Sequence, residues 1–429
     1  MLFHIITLGC KINQYESQAI AESLEKRGFK HAADPALAQA IIINSCAVTS
    51  RAVRDLKKTC RQVSRSNPRA RIIITGCAAQ VLEKELSQLR EVHMVIPQKD
   101  KKALMNGLSQ PPGTSEDIPD YYISDYSRAR AVVKVQDGCT HKCTFCIVPL
   151  ARGGSRSRPP EVVLDEISRL IDKGFNEIIL GGINLRLYGR DLSPGINFWD
   201  LVNFLGKKLY PLPARKFRIR LSSLEPSELN SRAIETLGST SMICPHLHIS
   251  LQSGSSSILK KMNRGHYNPM DLLSFSRKLK KIWPLYSMGA DILAGFPGET
   301  AMDFEQTREL VRNLPLSYAH VFPYSRRPGT PAADFEGQVR EEEKKIRTKE
   351  LRSLAEKKKQ DFLQRLTQEK KLDMIMETST KGMSQYYVDC RLRKHASFTP
   401  RQLIQVRPLG VEAGKLIVEP LSETQPTTI

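Results

Sequence analysis

Residues 138–146, GCTHKCTFC, place Cys139, Cys143 and Cys146 in one short loop with the spacing C-x3-C-x2-C. A loop of this length can hold three thiolates around one iron–sulfur cluster and leave the fourth iron without a protein ligand. Zinc is the alternative, but structural zinc sites prefer four protein ligands in paired motifs, and His141 lies awkwardly inside the same loop. The spacing therefore favours an iron–sulfur cluster with one open iron.

Three further cysteines each follow a predicted buried strand. FHIITLGC ends at Cys10, AIIINSC ends at Cys46 and RIIITGC ends at Cys77. Runs of isoleucine favour strands that are buried on both faces. Helical stretches near 14–28 and 49–66 separate these strands, which predicts βαβ units and a parallel sheet. Since the carboxyl ends of parallel strands lie on one side of the sheet, we expect the three thiolates to meet there.

The other cysteines, Cys60, Cys244 and Cys390, have no partner spacing. The total of nine is odd, and no Lys or Arg precedes the TLGC segment as it would in an export signal. Disulfides are therefore not expected, and these three cysteines are interpreted as buried side chains.

The charge balance indicates a polyanionic partner. The 429 residues include 65 Lys plus Arg and 45 Asp plus Glu, a net charge of +20. Such an excess favours nucleic acid, although a generally basic soluble enzyme is the alternative. No apolar run reaches the length of a membrane span, so the expected location is the cytoplasm, without membrane contact.

A second series of strands and helices predicts an α/β barrel. Six strands alternate with helices, which is typical of a partial (βα)6 TIM-like barrel whose active site lies at the carboxyl ends of the strands. The predicted strands lie near 131–135, 177–180, 217–221, 246–251, 287–292 and 317–323.

The interior of this barrel is predicted to be polar. In an ordinary barrel, Val, Ile and Leu fill the interior. Here, alternation along three strands puts polar or aromatic side chains on one face and apolar ones on the other. The polar and aromatic faces comprise Arg218, Arg220 and Ser222; His246, His248, Ser250 and Gln252; and Tyr318, His320, Phe322 and Tyr324. We interpret these faces as the lining of a ligand-binding interior.

These patterns divide the chain into three domains. Residues 1–110 form the N-terminal parallel βαβ domain, and 111–125 are rich in Pro, Ser and acidic residues, which is typical of a linker. Residues 126–370 form the barrel with a charged trailing helix, interpreted as a solvated connection. From 371–429 strand patterns return without a long helix, which predicts a small all-β barrel.

The chain resembles the radical S-adenosylmethionine (SAM) methylthiotransferases over nearly its whole length. The matching phrases are LGCKINQYES, INSCAVT, TGCAAQ, QDGCTHKCTFC, RGGSRSR, LSSLEP, HISLQSGS, LKKMNRGH and GFPGET. The resemblance implies an N-terminal domain with an auxiliary 4Fe–4S cluster, a radical SAM barrel and a C-terminal RNA-binding barrel of the TRAM type.

The resemblance also implies cofactors and site residues. The expected cofactors are two 4Fe–4S clusters and SAM, which serves as methyl donor and as radical source, so no side chain is expected to be catalytic in itself. The expected cluster ligands are Cys10, Cys46, Cys77, Cys139, Cys143 and Cys146. The expected SAM contacts are Phe145, Gly181, Gly182, Asn184, Ser222 and Gln252. Candidates for phosphate or cofactor carboxylate contacts, or for a solvated basic loop, are Arg152, Arg156 and Arg158.

Within the family, LGCKINQYE and VFPYSRRPGTPAA are most similar to the MtaB type. This type adds a methylthio group to carbon 2 of N6-threonylcarbamoyladenosine at position 37 of tRNA. The implied partners are the tRNA anticodon loop and a low-potential electron donor of the flavodoxin or ferredoxin type. The alternatives within the family are the isopentenyladenosine tRNA enzymes and the branch that methylthiolates a ribosomal-protein aspartate. A different class, a non-catalytic zinc-bound RNA-binding protein, would explain the charge and the cysteines but not the three-ligand spacing.

Overall fold

The computed structural model describes residues 1–108, 121–209, 216–394 and 398–421. The strands in these ranges form an N-terminal parallel sheet, two four-stranded sheets in the middle of the chain, and a closed barrel at the C-terminal end. The predicted α/β class with a final all-β barrel is therefore confirmed. None of the helices in these ranges is long and apolar enough to cross a membrane.

The N-terminal domain is a five-stranded parallel sheet with the order β2-β1-β3-β4-β5. Ile41 and Ile43 pack into one core cluster and Ile42 into another, so β3 is buried on both faces as predicted. The elements are β1 Leu2–Thr7, α1 Lys11–Lys26, β2 Lys30–His31, β3 Ala40–Ser45, α2 Ser50–Ser66, β4 Arg71–Gly76, α3 Cys77–Val81, α4 Glu83–Ser87, β5 Met94–Pro97 and α5 Lys102–Asn106.

The middle of the chain contains the six predicted parallel strands. Together with the short strands β7, which is antiparallel, and β10, they form two sheets in the orders β7-β6-β8-β9 and β10-β11-β12-β13, and an isolated bridge links Ile219 of β9 to Ile243, just before β11. The elements are β6 Ala131–Asp137, α6 Val148–Arg152, β7 Arg156–Ser157, α7 Pro160–Asp172, β8 Glu177–Gly182, α8 Phe198–Leu209, β9 Arg218–Leu221, β10 Ser223–Leu224, α9 Ser231–Ser239, β11 His246–Gln252, α10 Ser256–Lys261, α11 Asp271–Ile282, β12 Ser287–Ala294, α12 Ala301–Asn313 and β13 Tyr318–Pro323.

Two helices cover opposite edges of this partial barrel. Helix α1 of the N-terminal domain packs against β6 and β8, where a Cβ added to Gly181 would lie 3.2 Å from Ile12 Cδ1. Helix α13, Glu341–Leu366, packs against β13 at the far edge. The N-terminal domain is thereby fixed directly against the barrel.

The C-terminal barrel is closed, with the strand order β14-β15-β16-β18-β17. Its strands are β14 Leu372–Met376, β15 Lys381–Ser384, β16 Asp389–Leu392, β17 Leu403–Glu412 and β18 Lys415–Pro420. Arg218 on β9 donates to the carbonyls of Asp373 and Met383, and Arg220 donates to the carbonyls of Ser384 and Gln385. Two arginines of the middle barrel therefore hold the C-terminal barrel against it.

The predicted linker lies mostly outside the described residues. Its last part, 121–125, packs tightly: Tyr121 and Ile123 are buried, and the Ile123 N–H donates to Glu166 Oε1 at 2.9 Å. This end of the segment is therefore part of the barrel, while the domain boundaries themselves stay a prediction.

Candidate functional site

The loop with Cys139, Cys143 and Cys146 begins where β6 ends. Gly138 has a φ of +67°, and a Cβ there would lie 1.9 Å from the Gly154 carbonyl oxygen, so no other residue fits. The carboxylate of Asp137 accepts from the Gly138 N–H at 2.8 Å and stabilises this turn. The sequence therefore forms a tight exit from the strand that directs the cysteine loop over the end of the barrel.

Two donors point at the sulfur atoms of this loop. Asn184 Nδ2 lies 3.4 Å from Cys139 Sγ, and Arg264 Nη1 lies 3.7 Å from Cys143 Sγ. Burial raises the pKa of Cys143, and it raises the pKa of Cys146 to about 12, so these thiols hold their protons until a metal displaces them. Donors directed at sulfur stabilise thiolates and tune the potential of iron–sulfur clusters.

Arg264 belongs to an ion pair that sequence reasoning missed. Its guanidinium donates to both oxygens of Glu225, at 2.9 and 2.7 Å, and His266 Nε2 lies 3.7 Å from the same carboxylate. Burial alone would raise the pKa of Glu225, but the interactions with His266 and Arg264 outweigh it and lower the pKa to about 2. The carboxylate therefore stays ionised and fixes the guanidinium beside Cys143. The only signal in the sequence was that the phrases LSSLEP and LKKMNRGH contain these residues.

The expected SAM contacts lie at neighbouring strand ends. Gly182 closes β8, and a Cβ there would lie 2.6 Å from Leu185 Cδ2. Ser222 follows β9, and its Oγ is buried without a hydrogen-bond partner among the described residues. Gln252 ends β11 with a φ of +63°, and Phe145 packs edge to face against Phe296. The structure brings these residues and Asn184 to the same end of the barrel, but Gly181 packs against the N-terminal domain.

The second group of cysteines meets at the edge of the N-terminal sheet. A Cβ added to Gly9, which has a φ of +105°, would lie 2.6 Å from Cys46 Cβ. A Cβ added to Gly76, with a φ of +94°, would lie 2.5 Å from the Ser45 carbonyl oxygen. Each glycine directly precedes a cysteine, Cys10 or Cys77, and allows the close approach of the strand ends.

Arg152 carries a buried positive charge beside this second group. Its guanidinium donates to Glu16 at 2.8 Å, to Asp137 at 2.9 Å and to Asn13 at 2.6 Å, and its charge acts on Cys77. The expectation that Arg152 contacts phosphate or a cofactor carboxylate is wrong, because its donors are used inside the protein.

The other two arginines of the RGGSRSR loop differ from each other. Arg158 forms an ion pair with Glu166 and donates to the Lys134 carbonyl at 3.0 Å, which also corrects the expectation for this residue. Arg156 is exposed. Of the three arginines, Arg156 alone has the exposed position expected of a solvated basic residue.

The two groups of cysteines are neighbours. Helix α6 begins two residues after Cys146 and packs against α3, which begins at Cys77. Ile147 and Ala151 belong to the core cluster of the N-terminal domain, together with Cys77. The sequence predicted each group separately, and the structure joins them through one apolar contact and the Arg152 ion pairs.

The donor set of both groups fits an iron–sulfur cluster better than a single ion. All six thiols are free, and no three His, Cys, Asp or Glu side chains in the described ranges converge tightly enough for one metal ion. A four-iron cube separates its cysteine sulfurs more widely than a single ion does, and it needs only three of them to leave one iron open. Each group supplies three thiols.

The wall of the barrel is polar, as predicted, and its side chains form one hydrogen-bonded chain. His248 Nε2 lies 3.1 Å from Asp291 Oδ1, and the Tyr318 hydroxyl lies 2.9 Å from both His248 Nδ1 and His246 Nε2. Burial and, to a smaller extent, the charges of neighbouring groups lower the pKa of His246 well below its usual range. If Asp291 accepts from His248 Nε2–H, then His248 Nδ1 accepts from the Tyr318 hydroxyl, and the Tyr318 oxygen accepts from His246 Nε2–H. His246 Nδ1 is then a buried acceptor that has no partner within the described part of the chain.

Tyr387 of the C-terminal barrel joins this wall. Its ring stacks on His246 with a centroid distance of 4.7 Å, and it adopts a φ of +60° between β15 and β16. On β13, His320 and Phe322 continue the wall, whereas Tyr324 packs against Phe296 instead. A flat aromatic and imidazole surface of this kind can stack a planar ring.

Two parts of the chain match known protein families. Residues 2–97 match a family described as "Uncharacterized protein family UPF0004", and 133–311 match the Radical SAM superfamily. Members of that superfamily use a 4Fe–4S cluster and SAM.

Several relatives are similar over nearly the whole chain. A threonylcarbamoyladenosine tRNA methylthiotransferase MtaB of Rickettsia prowazekii is 35% identical and covers 96% of this chain and 95% of its own length. The protein of the same name from Thermotoga maritima is 37% identical and covers 90% and 89%. A tRNA-2-methylthio-N(6)-dimethylallyladenosine synthase of Clostridium botulinum is 36% identical over 81% of this chain and 80% of its own.

Among solved structures, the fold is similar to that of the radical SAM methyltransferase TsrM from Kitasatospora setae. The TM-score is 0.57 at 14% identity, and the match covers 77% of each chain. At this identity the similarity supports the fold alone. Taken together with the relatives of higher identity, the two thiol groups and the barrel identify the chain as a member of the radical SAM methylthiotransferase family that includes the MtaB proteins.

Proposed function

We propose that this protein adds a methylthio group to carbon 2 of N6-threonylcarbamoyladenosine at position 37 of tRNA. The observation that carries the proposal is the contact between α6 and α3, because it brings two groups of three thiols beside one polar barrel. A methylthiotransferase needs one site that activates a C–H bond and a second site that supplies sulfur. The names of the relatives from Rickettsia and Thermotoga supply the substrate.

The chain's own residues would hold the two clusters. Cys139, Cys143 and Cys146 would ligate the first cluster, with Asn184 and Arg264 as donors to its thiolates. The thiols that would ligate the auxiliary cluster are Cys10, Cys46 and Cys77. When bound, the clusters and SAM supply the radical, the sulfur and the methyl group, chemistry that acid–base side chains cannot perform at an aromatic C–H bond.

Side chains at the strand ends would hold SAM. Ser222 Oγ has no hydrogen-bond partner within the described ranges, and Gln252 has a strained backbone; both features are typical of residues that contact a ligand. Gly182 and Asn184 close the neighbouring strand, where a close approach needs a small residue, and the half-buried ring of Phe145 completes the group. The side of Gly181 on which a Cβ would stand packs against Ile12, so only the backbone of this residue would contribute to the site.

The RNA base would reach the barrel through a large basic cavity. A cavity of about 1210 Å³ opens between β13, α13 and the C-terminal barrel, and Tyr318, His320 and Tyr387 form part of its wall. Basic side chains outnumber acidic ones in its lining, with Lys344, Lys345, Lys349, Arg352 and Lys359 against Glu341, Glu356 and Asp389. Modification of a base requires that the base leave its stack, and an unpaired anticodon-loop base loses no pairing when it does so.

The basic composition supports the same partner. The net charge of +20 predicts that affinity for tRNA falls as the salt concentration rises, since each phosphate contact releases counterions. A low-potential electron donor of the flavodoxin or ferredoxin type completes the proposal, because the radical reaction consumes electrons.

The test is mass spectrometry of tRNA nucleosides from cells with and without this gene. Loss of the 2-methylthio derivative, with accumulation of N6-threonylcarbamoyladenosine, is the expected result. A change in the isopentenyl derivative instead would keep the reaction and change the substrate. This second substrate has one observation in its favour, the 36% identity of the Clostridium relative.

Two other outcomes would contradict the proposed tRNA substrate class or the iron–sulfur chemistry itself. If no tRNA nucleoside changes, the protein-modifying branch of the family becomes the better assignment. If the anaerobically purified protein is colourless and contains zinc, it is a zinc-bound RNA-binding protein instead. A brown protein that contains iron and sulfide is expected.

A further inference from the structure

Among the described residues, the ammonium of Lys11 contacts no carboxylate although it lies beside residues of all three domains. It is the first residue of α1 and directly follows Cys10, yet its side chain is only partly exposed. Within the described part of the chain it makes no ion pair and no hydrogen bond, and its Nζ lies 5.4 Å from the centroid of the Tyr387 ring. A buried charge without a partner destabilises the folded protein, so its presence needs an explanation.

The neighbouring cations differ from Lys11 because each has a carboxylate. Arg130 and Arg220 also lie beside the Tyr387 ring, at 5.6 and 5.3 Å from its centroid. Arg220 donates to Glu177 at 2.8 Å, and Arg130 lies 2.8 Å from Glu377. Lys11 is therefore the cation beside this ring that has no direct carboxylate contact within the described residues, and its ammonium can bind an anion from outside the protein.

The ammonium faces the polar wall of the barrel. Its charge contributes to the field at both His246 and His320, and it lies beside the ring that stacks on His246. Lys11 therefore comes from the N-terminal domain, Tyr387 from the C-terminal barrel and His246 from the middle barrel. An anion held by Lys11 would lie beside a surface that can stack a planar base.

The position of Lys11 also ties the anion to the auxiliary cysteines. Cys10 and Lys11 are consecutive, so a group bound to the ammonium lies within the length of one lysine side chain from the backbone that carries the Cys10 thiol. In adenine, carbon 2 and the carbon that carries N6 both flank N1. A substituent on N6 that turns toward N1 therefore lies on the same side of the ring as carbon 2.

We infer that Lys11 binds the carboxylate of an N6-linked amino acid on the target adenosine and thereby selects that substrate. This inference rests on the proposed function, since it assumes that the base enters the barrel. The threonylcarbamoyl group carries one carboxylate, whereas a dimethylallyl group carries no charge. An unpaired ammonium pairs with the first and gains nothing from the second. A charge-assisted hydrogen bond in a partly buried site supplies such discrimination.

The test compares two synthetic anticodon stem-loops that differ in one group. One carries N6-threonylcarbamoyladenosine, and the other carries the same nucleoside with its carboxylate converted to the primary amide. Binding to the cluster-loaded protein, without reductant so that no turnover occurs, is measured by fluorescence anisotropy. The wild-type protein is expected to bind the carboxylate stem-loop at least tenfold more tightly, and equal affinities would overturn the inference.

Variants locate the effect at Lys11. In Lys11→Gln the preference for the carboxylate is expected to disappear through weaker binding of that stem-loop, with binding of the amide stem-loop unchanged. Lys11→Arg is expected to restore most of the preference. Lys26→Gln, on the exposed last residue of the same helix, is the matched control for a lost lysine charge. If Lys11→Gln weakens both stem-loops equally, Lys11 binds RNA phosphate or supports the fold, and the inference fails.

Two readouts separate this inference from the proposed function. The iron and sulfide content of Lys11→Gln shows whether the neighbouring Cys10 still holds its cluster in that variant. If the cluster is lost there, the affinities of the wild-type protein for the two stem-loops still decide the inference. If the wild-type protein prefers the carboxylate but forms no 2-methylthio product on it with reductant and SAM, the proposed function fails while the carboxylate site stands.

Discussion

The carboxylate of Glu16, on the first helix of the N-terminal domain, accepts a hydrogen bond of 2.8 Å from the guanidinium of Arg152 in the barrel. Both side chains are buried, and Lys101 and Lys134 lie 2.7 and 3.2 Å from the same carboxylate. Glu16 thus forms ion pairs with cations that come from two domains. The arrangement holds the auxiliary cysteine group against the loop of the other group.

Glu16→Gln is expected to separate the two domains. The variant leaves Arg152 and Lys134 with Asp137 as their buried carboxylate, and it leaves Lys101 with its hydrogen bond to Asn44 Oδ1. Removing one partner of a buried ion pair costs about 3–5 kcal/mol. The free energy of unfolding in urea should fall by this order. Iron content should fall from that of two clusters toward that of one.

Glu25→Gln is the matched control, since Glu25 lies exposed on the same helix. It is expected to leave stability and iron content unchanged. A Glu16→Gln protein with wild-type stability would show that the buried ion pairs do not hold the domains together.

Asn184→Asp is expected to disturb the cluster on the cysteine loop. The variant keeps the oxygen that accepts from the Arg186 N–H but replaces the donor that lies 3.4 Å from Cys139 Sγ with a second carboxylate oxygen. Repulsion between the carboxylate and the thiolate lowers the reduction potential of that cluster, since hydrogen bonds to sulfur and net charge both set it. An electron paramagnetic resonance titration measures the shift.

Asn230→Asp provides the control for this change. Asn230 caps α9 through its side-chain oxygen, and aspartate makes the same cap. The reduction potentials of the clusters in Asn230→Asp should match those of the wild-type protein. An unchanged potential in Asn184→Asp would show that the amide does not act on the cluster.

The positions of the six cysteines could be predicted from the sequence, because local patterns fix them. Runs such as AIIIN favour a strand buried on both faces, and the residue directly after such a strand lies at the sheet edge. The three-cysteine loop is contained in nine residues. The buried strand predicted to end just before Cys46 is the observed strand Ala40–Ser45.

The roles of Arg152, Lys11 and Tyr387 could not be predicted in this way. The partner of Arg152 is Glu16, 136 positions away along the chain, and no local period reports such a contact. Tyr387 depends on how the C-terminal barrel docks, which the carbonyl acceptors of Arg218 and Arg220 determine. The segment Lys381–Ser384 has no run of β-branched or aromatic residues, and it forms strand β15 because it closes the barrel between β14 and β16.

Gly289→Ala is expected to uncouple the cleavage of SAM from the formation of the methylthio product. A Cβ at this position would lie 2.1 Å from Tyr318 Cζ, so the ring must move and release its hydrogen bonds to His246 and His248. Overpacking of this kind costs about 1–3 kcal/mol. Reductive cleavage of SAM should persist, while the methylthio product falls at least tenfold because the stacking wall is displaced.

Gly238→Ala is the matched control in α9. A Cβ there would lie no closer than 3.5 Å to another side chain, and alanine in a helix is more stable than glycine by about 0.5–1 kcal/mol. This variant should keep full activity and melt at a slightly higher temperature. Coupled loss of SAM cleavage and product in Gly289→Ala would mean that the wall also supports the SAM site.

The last prediction concerns Glu177, which holds Arg218 and Arg220 at 2.6 and 2.8 Å beneath the C-terminal barrel. Burial alone would raise the pKa of Glu177, but the attraction of Arg220 and Arg218 outweighs it and lowers the pKa to about 2. A carboxyl group with a lowered pKa in the folded state stabilises the protein fully above its unfolded pKa, near 4.5. That contribution is lost as the pH falls from there toward about 2.

Glu177→Gln should therefore destabilise the protein by about 3 kcal/mol at pH 7, and the difference from wild type should shrink as the pH falls below 4.5. Urea unfolding at a series of pH values measures this difference. Since Arg218 and Arg220 also hold carbonyl oxygens of the C-terminal barrel, the variant should expose that barrel to limited proteolysis first. A stability difference that stays constant with pH would show that Glu177 is not ionised in the folded protein.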